Sequence, residues 1–317
     1  MLDYIYDKDY EKTVWEKVIP YINARKTEKR FAGFDGKPLQ GYIYKSDSPK
    51  KSVVLLHGFT ETVIKFAEVI YYLLTSGFDV YTYDQRGHGL SYRPVEDLTL
   101  THVDKFSNYV DDLEIFINSF VNESFPCDIL SHSMGGGIAA LYLERHPEKI
   151  ERAVLMSPLI APERGGAPLW AAKLICYAAK AIGKGKKRIF LSSPYPGSEK
   201  FEESCCTSPD RFLYYEHIRV NDKNYQNYSP TYTWTLESLK MTAKILKKGG
   251  PEKIETDVLI LQAGLDNVVR KDAQDEFASR LKHCKIIKLP DAKHELYRSN
   301  DQTWKSAVTQ IIEFLSR

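Results

Sequence analysis

Short, uninterrupted runs of apolar residues alternate along this chain with longer segments in which apolar residues recur every three or four positions. A continuous apolar run is typical of a strand buried on both faces of a parallel sheet, and the longer period is typical of an amphipathic helix. Strands are predicted over residues 52–56, 78–83, 127–131, 153–156, 258–262 and 286–289. Helices are predicted over residues 66–74, 110–120, 136–145, 273–281 and 303–315. The alternation predicts an α/β fold whose mostly parallel central sheet is covered by helices on both faces.

The segment ahead of the first buried run has different patterns. Residues 1–30 predict a helical lead-in with Trp15, Val18 and Ile19 on one face. Residues 31–44 predict a hairpin, because the favoured tight-turn pair Asp35-Gly36 separates two extended stretches.

The alternation stops between residues 159 and 251, where aromatic residues and proline and glycine breaks replace it. We therefore predict an α/β core formed by residues 1–158 and 252–317, with an inserted cap, or lid, over 159–251. A separate second domain is the alternative, which the missing core pattern disfavours. Within the cap, residues 167–182 predict a mostly apolar helix, and the basic cluster 184–188 follows it.

Charge and composition exclude several classes of protein. The 44 basic and 42 acidic residues nearly balance, so we expect no nucleic-acid partner. No run reaches the roughly 18 apolar residues that cross a bilayer, and the acidic, aromatic beginning of the chain does not predict a secretory signal. We expect a cytoplasmic protein, with peripheral contact of the cap with the inner face of the membrane as a further hypothesis. Cys205 and Cys206 lack the spacing of metal ligands and are predicted to be free thiols, and no metal site or cofactor is expected.

Ser133 is the candidate nucleophile. It lies in the pattern Ser131-x-Ser133-x-Gly135, where the predicted strand 127–131 ends and the predicted helix 136–145 begins. In such an elbow the serine is held in strained backbone geometry, and the residues two before and two after it must be small. Gly135 meets this demand, and Ser131 replaces the more usual glycine with another small residue.

A serine hydroxyl needs a histidine to take its proton and a carboxylate to orient that histidine. Asp266 follows the predicted strand 258–262, and His294 follows the predicted strand 286–289. The order serine, aspartate, histidine along the chain is the order expected for this type of elbow. Other candidates for the acid are Asp272, Asp291 and Glu163.

The negative oxygen of a tetrahedral intermediate needs preorganised donors, which backbone amides supply. One candidate is the amide of Met134, directly after the nucleophile, where the helix dipole favours an anion. The other is the amide of Phe59 in the loop His57-Gly58-Phe59, where glycine allows a close backbone approach. A simple turn at the end of a strand is the alternative interpretation of His57-Gly58.

These residues occur in segments that resemble the α/β-hydrolase superfamily and, within it, the bacterial lysophospholipase and monoacylglycerol lipase group. The segments are Leu-Leu-His-Gly-Phe at 55–59, Asp-Gln-Arg-Gly-His-Gly-Leu-Ser at 84–91, Ser-His-Ser-Met-Gly-Gly at 131–136, Gly-Leu-Asp at 264–266 and Ala-Lys-His-Glu-Leu at 292–296. The resemblance implies an α/β-hydrolase fold, with Ser133, Asp266 and His294 as nucleophile, acid and base. Arg86 and His88, in the second segment, are predicted to fix a loop.

The composition of the predicted cap is the remaining indication of the substrate. Its aromatic residues are candidates for an acyl pocket, although packing alone also explains them. Candidate substrate contacts are His57, His132, Tyr195 and Trp234. The leading hypothesis is a serine carboxylester hydrolase that acts through an acyl-enzyme on lysophospholipids, monoacylglycerols or short acyl esters. The alternatives are a peptidase, thioesterase or C–C hydrolase on the same scaffold, or a ligand-binding protein without turnover.

Overall fold

The short apolar runs of the sequence correspond to the strands of a central sheet. The structure, a computed structural model, describes residues 2–121 and 126–317. The strands are β1 (Lys26–Ala32), β2 (Pro38–Tyr44), β3 (Lys51–Leu56), β4 (Phe78–Tyr83), β5 (Leu100–Thr101), β6 (Cys127–His132), β7 (Arg152–Met156), β8 (Ser229–Pro230), β9 (Asp257–Ala263) and β10 (Cys284–Leu289). Eight of them form one sheet in the order β1-β2-β4-β3-β6-β7-β9-β10, while β5 and β8 pair separately. Only β2 runs antiparallel to its neighbours in the large sheet, so the predicted mostly parallel sheet is confirmed.

Helices cover both faces of this sheet. They are α1 (Tyr10–Thr13), α2 (Ile19–Asn23), α3 (Ala67–Thr75), α4 (Ser107–Phe120), α5 (Met134–Arg145), α6 (Leu169–Ala181), α7 (Pro209–Asn221), α8 (Tyr232–Ile245), α9 (Lys271–Arg280) and α10 (Asp301–Leu315). Successive residues of β3 point to opposite faces, because side chains alternate along a strand. Val53 and Leu55 pack with α3 and α10, whereas Val54 and Leu56 pack with α4 and α5. Each predicted buried run therefore contributes to two apolar layers.

The beginning of the chain follows the prediction only in part. The hairpin of β1 and β2 is present, and Gly36 takes the positive φ of 74° that its turn requires. The helical lead-in is also present, but Trp15 does not belong to its buried face. Val14 and Val18 are fully buried one turn apart, while Trp15 is 44% exposed.

Residues 159–251 contain α6, α7 and α8, and among the described residues they add no strand to the large sheet. The division of the chain into a core and a cap stays a prediction. Across residues 2–121 and 126–317, no helix combines the length and the apolar character that crossing a bilayer requires.

A buried arginine attaches α7 to the rest of the molecule. The guanidinium of Arg211 is enclosed and donates to both carboxylate oxygens of Glu68 on α3, at 2.9 and 3.1 Å. It also donates to Asp7 and to the carbonyl oxygen of Ile5 in the chain ahead of α1. Trp304 Nε1 on α10 donates to the same Glu68. One ion network therefore joins α7, α3, α10 and the beginning of the chain.

Substitution of Arg211 by methionine should destabilise the protein strongly, because the carboxylate of Glu68 would stay buried without its counter-ion. Removing one partner of a buried ion pair costs about 3–5 kcal/mol, which denaturant unfolding would measure. The matched control is Arg145→Met, because Arg145 forms its ion pairs at the surface, where such pairs contribute about 1 kcal/mol or less. Adding Glu68→Gln to Arg211→Met should restore part of the stability. A double variant less stable than the single one would contradict this account.

Candidate active site

Ser133 lies at a sharp turn between β6 and α5. Its φ of 50° and ψ of −115° are strained for a residue with a side chain. Hydrogen bonds on both sides hold this geometry. The Ser133 amide donates to the carbonyl oxygen of Met156 at 3.0 Å, and the Ser133 carbonyl oxygen accepts from the amides of Gly136 and Leu159 at 2.9 and 2.8 Å. The sequence pattern for an elbow thus corresponds to an elbow in the fold.

The small residues around Ser133 are needed for close backbone approach. A Cβ atom on Gly135 would lie 2.5 Å from the carbonyl oxygen of Leu56 and 2.8 Å from that of His57. Ser131, where the resembled family usually has glycine, is fully buried, and its hydroxyl donates to the carbonyl oxygen of Val154 at 3.3 Å. The serine is accommodated because its hydroxyl has this partner.

The three candidate triad side chains meet at the carboxyl ends of the strands. His294 Nε2 lies 2.8 Å from Ser133 Oγ, and His294 Nδ1 lies 2.7 Å from Asp266 Oδ2. A carboxylate can only accept, so Nδ1 carries the proton and Nε2 is free to accept from the serine hydroxyl. Asp266 follows β9 and His294 follows β10, so parallel neighbouring strands deliver both side chains to one edge.

Asp266 is suited to orient the histidine as a carboxylate. Burial raises the pKa of Asp266, but the hydrogen bond and charge of His294 and the amides of Val268 and Val269 lower it below its usual value. These two amides donate to Oδ1 at 2.8 and 3.1 Å, which leaves Oδ2 for the imidazole. The other candidate acids, Asp272, Asp291 and Glu163, are exposed at the surface.

The two candidate amide donors belong to segments that flank Ser133. Met134 is the first residue of α5, and Phe59 follows the close approach at Gly58, where a Cβ atom would lie 3.0 Å from Ser133 Cβ. Within the described chain, neither amide has a hydrogen-bond acceptor. The Phe59 ring packs against Trp234 of α8, with ring centroids 4.2 Å apart. This arrangement leaves two N–H groups available to a developing oxyanion.

The ring nitrogens of His57 and His132, two candidate substrate contacts, bond to protein atoms. His57 Nδ1 bonds the carbonyl oxygen of Gly58 at 2.8 Å, and its Nε2 accepts from the amide of Gln85 at 2.8 Å. Both nitrogens of His132 also bond to protein atoms, and both rings are 1% exposed. These histidines support the loops around the site.

The two aromatic candidates differ in position. The Tyr195 hydroxyl donates to the carbonyl oxygen of Gly197, and its ring packs against Tyr228, so no contact with the triad is found among the described residues. Trp234 lies against Phe59, and its buried Nε1 has no partner in the described part of the chain. Of the two aromatic candidates, Trp234 is therefore the one that lies beside a candidate amide donor, Phe59.

Sequence reasoning missed Glu61. Its carboxylate is buried and bonds to Gly58, His132 and Tyr297, each close in sequence to a candidate site residue. The signal in the sequence is a glutamate three residues after Gly58, in the loop that follows the predicted strand 52–56. A glutamate in a loop is normally solvated, so only the fold reveals its role.

Comparison with known proteins agrees with this geometry. A family described as serine aminopeptidase, S33 (Hydrolase_4), matches residues 47–301. The chain belongs to this family. The chain is 29% identical to lysophospholipase L2 of Escherichia coli K12 over 313 residues, covering 92% of this chain and 88% of that protein. It is 30% identical to a monoacylglycerol lipase of Mycolicibacterium smegmatis over 166 residues, covering 51% and 56%.

A solved lipase structure has the same fold. A soluble variant of monoglyceride lipase from Saccharomyces cerevisiae, solved with a substrate analog, superposes with a TM-score of 0.74 at 19% identity, covering 92% of this chain and 94% of that one. The predicted α/β-hydrolase fold is confirmed, as is the resemblance to the lysophospholipase and monoacylglycerol lipase group.

Replacing Gly135 by alanine should disturb the elbow, because the added Cβ would meet two backbone carbonyl oxygens that cannot rotate away. A shift of Ser133 relative to His294 would slow labelling of the serine by a fluorophosphonate probe, and a misplacement of about 1 Å lowers reactivity by about 100-fold. The control is Ser131→Gly, which removes one 3.3 Å hydrogen bond without adding atoms and should label at nearly the original rate. Full labelling of Gly135→Ala would show that the elbow tolerates a side chain there.

Proposed function

We propose that this protein is a serine carboxylester hydrolase that acts on lipid-like esters through an acyl-enzyme. The observation that carries the proposal is the continuous chain of contacts from Asp266 through His294 to Ser133, at 2.7 and 2.8 Å. The amides of Phe59 and Met134, which have no acceptor among the described residues, add the donors that acyl transfer requires.

The geometry supports a two-step reaction. Ser133 Oγ attacks the ester carbonyl carbon while His294 Nε2 takes the serine proton, and Asp266 stabilises the resulting imidazolium. The amides of Phe59 and Met134 hold the oxyanion. His294 then returns the proton to the leaving alcohol, which leaves the acyl group on Ser133. A water molecule then gives a proton to His294 and attacks the acyl carbon. The bond from this carbon to Ser133 Oγ breaks, His294 returns the proton to Oγ, and the fatty acid leaves.

The proposed substrate class follows from the relatives and from the wall of the site. Two of the similar proteins are named lysophospholipase L2 and monoacylglycerol lipase. Phe59 and Trp234 provide apolar surface next to the candidate oxyanion donors, as an acyl chain requires. The family description, serine aminopeptidase, keeps a peptidase as the second candidate.

Purified protein should hydrolyse p-nitrophenyl esters, monoacylglycerols and lysophospholipids, and Ser133→Ala should abolish this activity. Asp266→Asn should lower kcat by about 10⁴-fold, because an amide orients the imidazole in the wrong tautomer. The matched control is Asp291→Asn, an exposed aspartate in the loop that carries His294, which should keep kcat within about twofold, as surface substitutions do. Hydrolysis of an aminoacyl amide without ester hydrolysis would favour the peptidase, and failure of fluorophosphonate labelling would favour a binding protein.

We also infer that the outer face of the cap contacts an anionic lipid bilayer. The residues Trp170, Leu174, Ile182, Phe190 and Leu191 are each at least 60% exposed. We call them the apolar patch. The basic residues Lys184, Lys186, Lys187 and Arg188 are exposed within the same segment. Apolar side chains that enter the lipid interface beside cations that attract anionic headgroups are typical of peripheral membrane proteins.

Binding to vesicles containing phosphatidylglycerol should exceed binding to phosphatidylcholine vesicles and should fall as salt is added. The double variant Trp170→Ser with Leu191→Ser should bind at least about tenfold more weakly, since each large apolar side chain contributes about 1.5–3 kcal/mol when buried. Tyr6→Ser, which changes an exposed aromatic residue at the beginning of the chain, is the control. Unchanged partitioning of the double variant would exclude the apolar patch as the contact.

A further inference from the structure

Glu61 is a buried carboxylate with an unusual number of partners. It is 2% exposed and lies in the loop after β3. Its Oε2 accepts from the Gly58 amide at 2.5 Å and from His132 Nδ1 at 2.9 Å. Its Oε1 accepts from the Tyr297 hydroxyl at 2.6 Å and from Lys65 Nζ at 3.4 Å. Every lone-pair direction of this carboxylate is thus engaged by protein.

These partners belong to three different segments of the candidate site. Gly58 precedes Phe59, which supplies one candidate amide donor. His132 directly precedes Ser133, and Tyr297 lies three residues after His294. The Glu61 carboxylate therefore joins the loop that holds Phe59, the turn that holds Ser133 and the loop that holds His294. Among the described residues, it forms no hydrogen bond with Ser133 Oγ or with the His294 ring.

The hydrogen bonds of His132 define its protonation. Nδ1 faces the Glu61 carboxylate, and Nε2 lies 3.0 Å from the backbone carbonyl oxygen of His294. Both of these partners only accept, so both ring nitrogens must carry protons, and the ring is an imidazolium. Burial lowers the pKa of His132, but the charge and hydrogen bond of Glu61 raise it above its usual value. Burial raises the pKa of Glu61, and His132 and Lys65 bring it well below its usual range.

We propose that His132 is a protonated positioning residue: paired with Glu61, it holds the loop of His294 against the nucleophile and presents a positive charge to the catalytic imidazole. The inference rests on the proposed function, because it concerns the same site. Its structural basis is the direct bond from the His132 ring to the His294 backbone and the 4.9 Å between the two ring centroids.

The protonated His132 ring lies in a buried group of ionisable side chains. The other ionisable groups around His132 are Glu61, Glu295, Lys65, Arg298 and Tyr297. Lys65 and Arg298 both pair with Glu295, at 2.6 and 2.5 Å, and His132 pairs with Glu61 at 2.9 Å.

The protonation of His132 is measurable without any substrate. In protein labelled with ¹⁵N-histidine, the His132 resonances, assigned by comparison with His132→Asn, should show both nitrogens protonated at neutral pH and above. In Glu61→Gln the buried ring loses its counter-ion and should be neutral at pH 7. A neutral His132 in the unaltered protein at pH 7 would overturn the proposal. Because this experiment does not depend on turnover, it separates failure of the proposal from failure of the proposed function.

Kinetics provide the second measurement. Glu61→Gln should lower kcat by about 10- to 100-fold with KM nearly unchanged, because the base is displaced while the substrate surface is kept. Tyr297→Phe is the matched control, since it removes one bond to Glu61 and leaves the ion pair with His132, and its kcat should fall much less than that of Glu61→Gln. A kcat of Glu61→Gln within twofold of the unaltered protein would contradict the role assigned to the pair.

Discussion

The contact between the loop after β3 and the first turn of α5 is the constraint on which the whole site depends. Gly135 lies where a side chain would be 2.5 Å from the Leu56 carbonyl oxygen, and Gly58 lies where one would be 3.0 Å from Ser133 Cβ. Because backbone meets backbone at Gly135, the separation of the Ser133 turn from the loop after β3 does not depend on flexible side chains. Amide donors fixed in this way would need no reorganisation in the reaction proposed for this site.

The fold was predictable wherever one local pattern determined burial. The runs that became β3, β4, β6, β7 and β9 are buried along almost their whole length, and their short length favours strands over buried helices. Trp15 shows where local pattern fails. Its spacing from Val18 suits a helix face, but the face that packs contains Val14 and Val18, and Trp15 instead contacts Tyr214 in α7 at the surface. That contact joins residues far apart in sequence, which periodicity does not detect.

The candidate site was predictable for a different reason. Ser133, Asp266 and His294 each follow a strand, and neighbouring parallel strands bring the ends of their loops together. The supporting residues carry no such signal. His57 and His132 lie in the expected loops, but which atoms their nitrogens face depends on Gln85, Glu61 and the backbone of His294, all distant in sequence. Hydrogen bonds between side chains and groups of different loops are therefore not predictable from the sequence alone.

The helices of segment 159–251 are attached to the rest of the molecule by different contacts. Arg211 fixes α7 to the sheet layers through Glu68, whereas α6 packs mainly on α8 and exposes its other face. Trp234, near the beginning of α8, touches Phe59. The helix α6 is therefore two packing contacts away from Phe59, by way of α8 and Trp234. Because a close-packed interior transmits strain, a displacement of α6 would reach the loop of Phe59 through α8 without passing through α7.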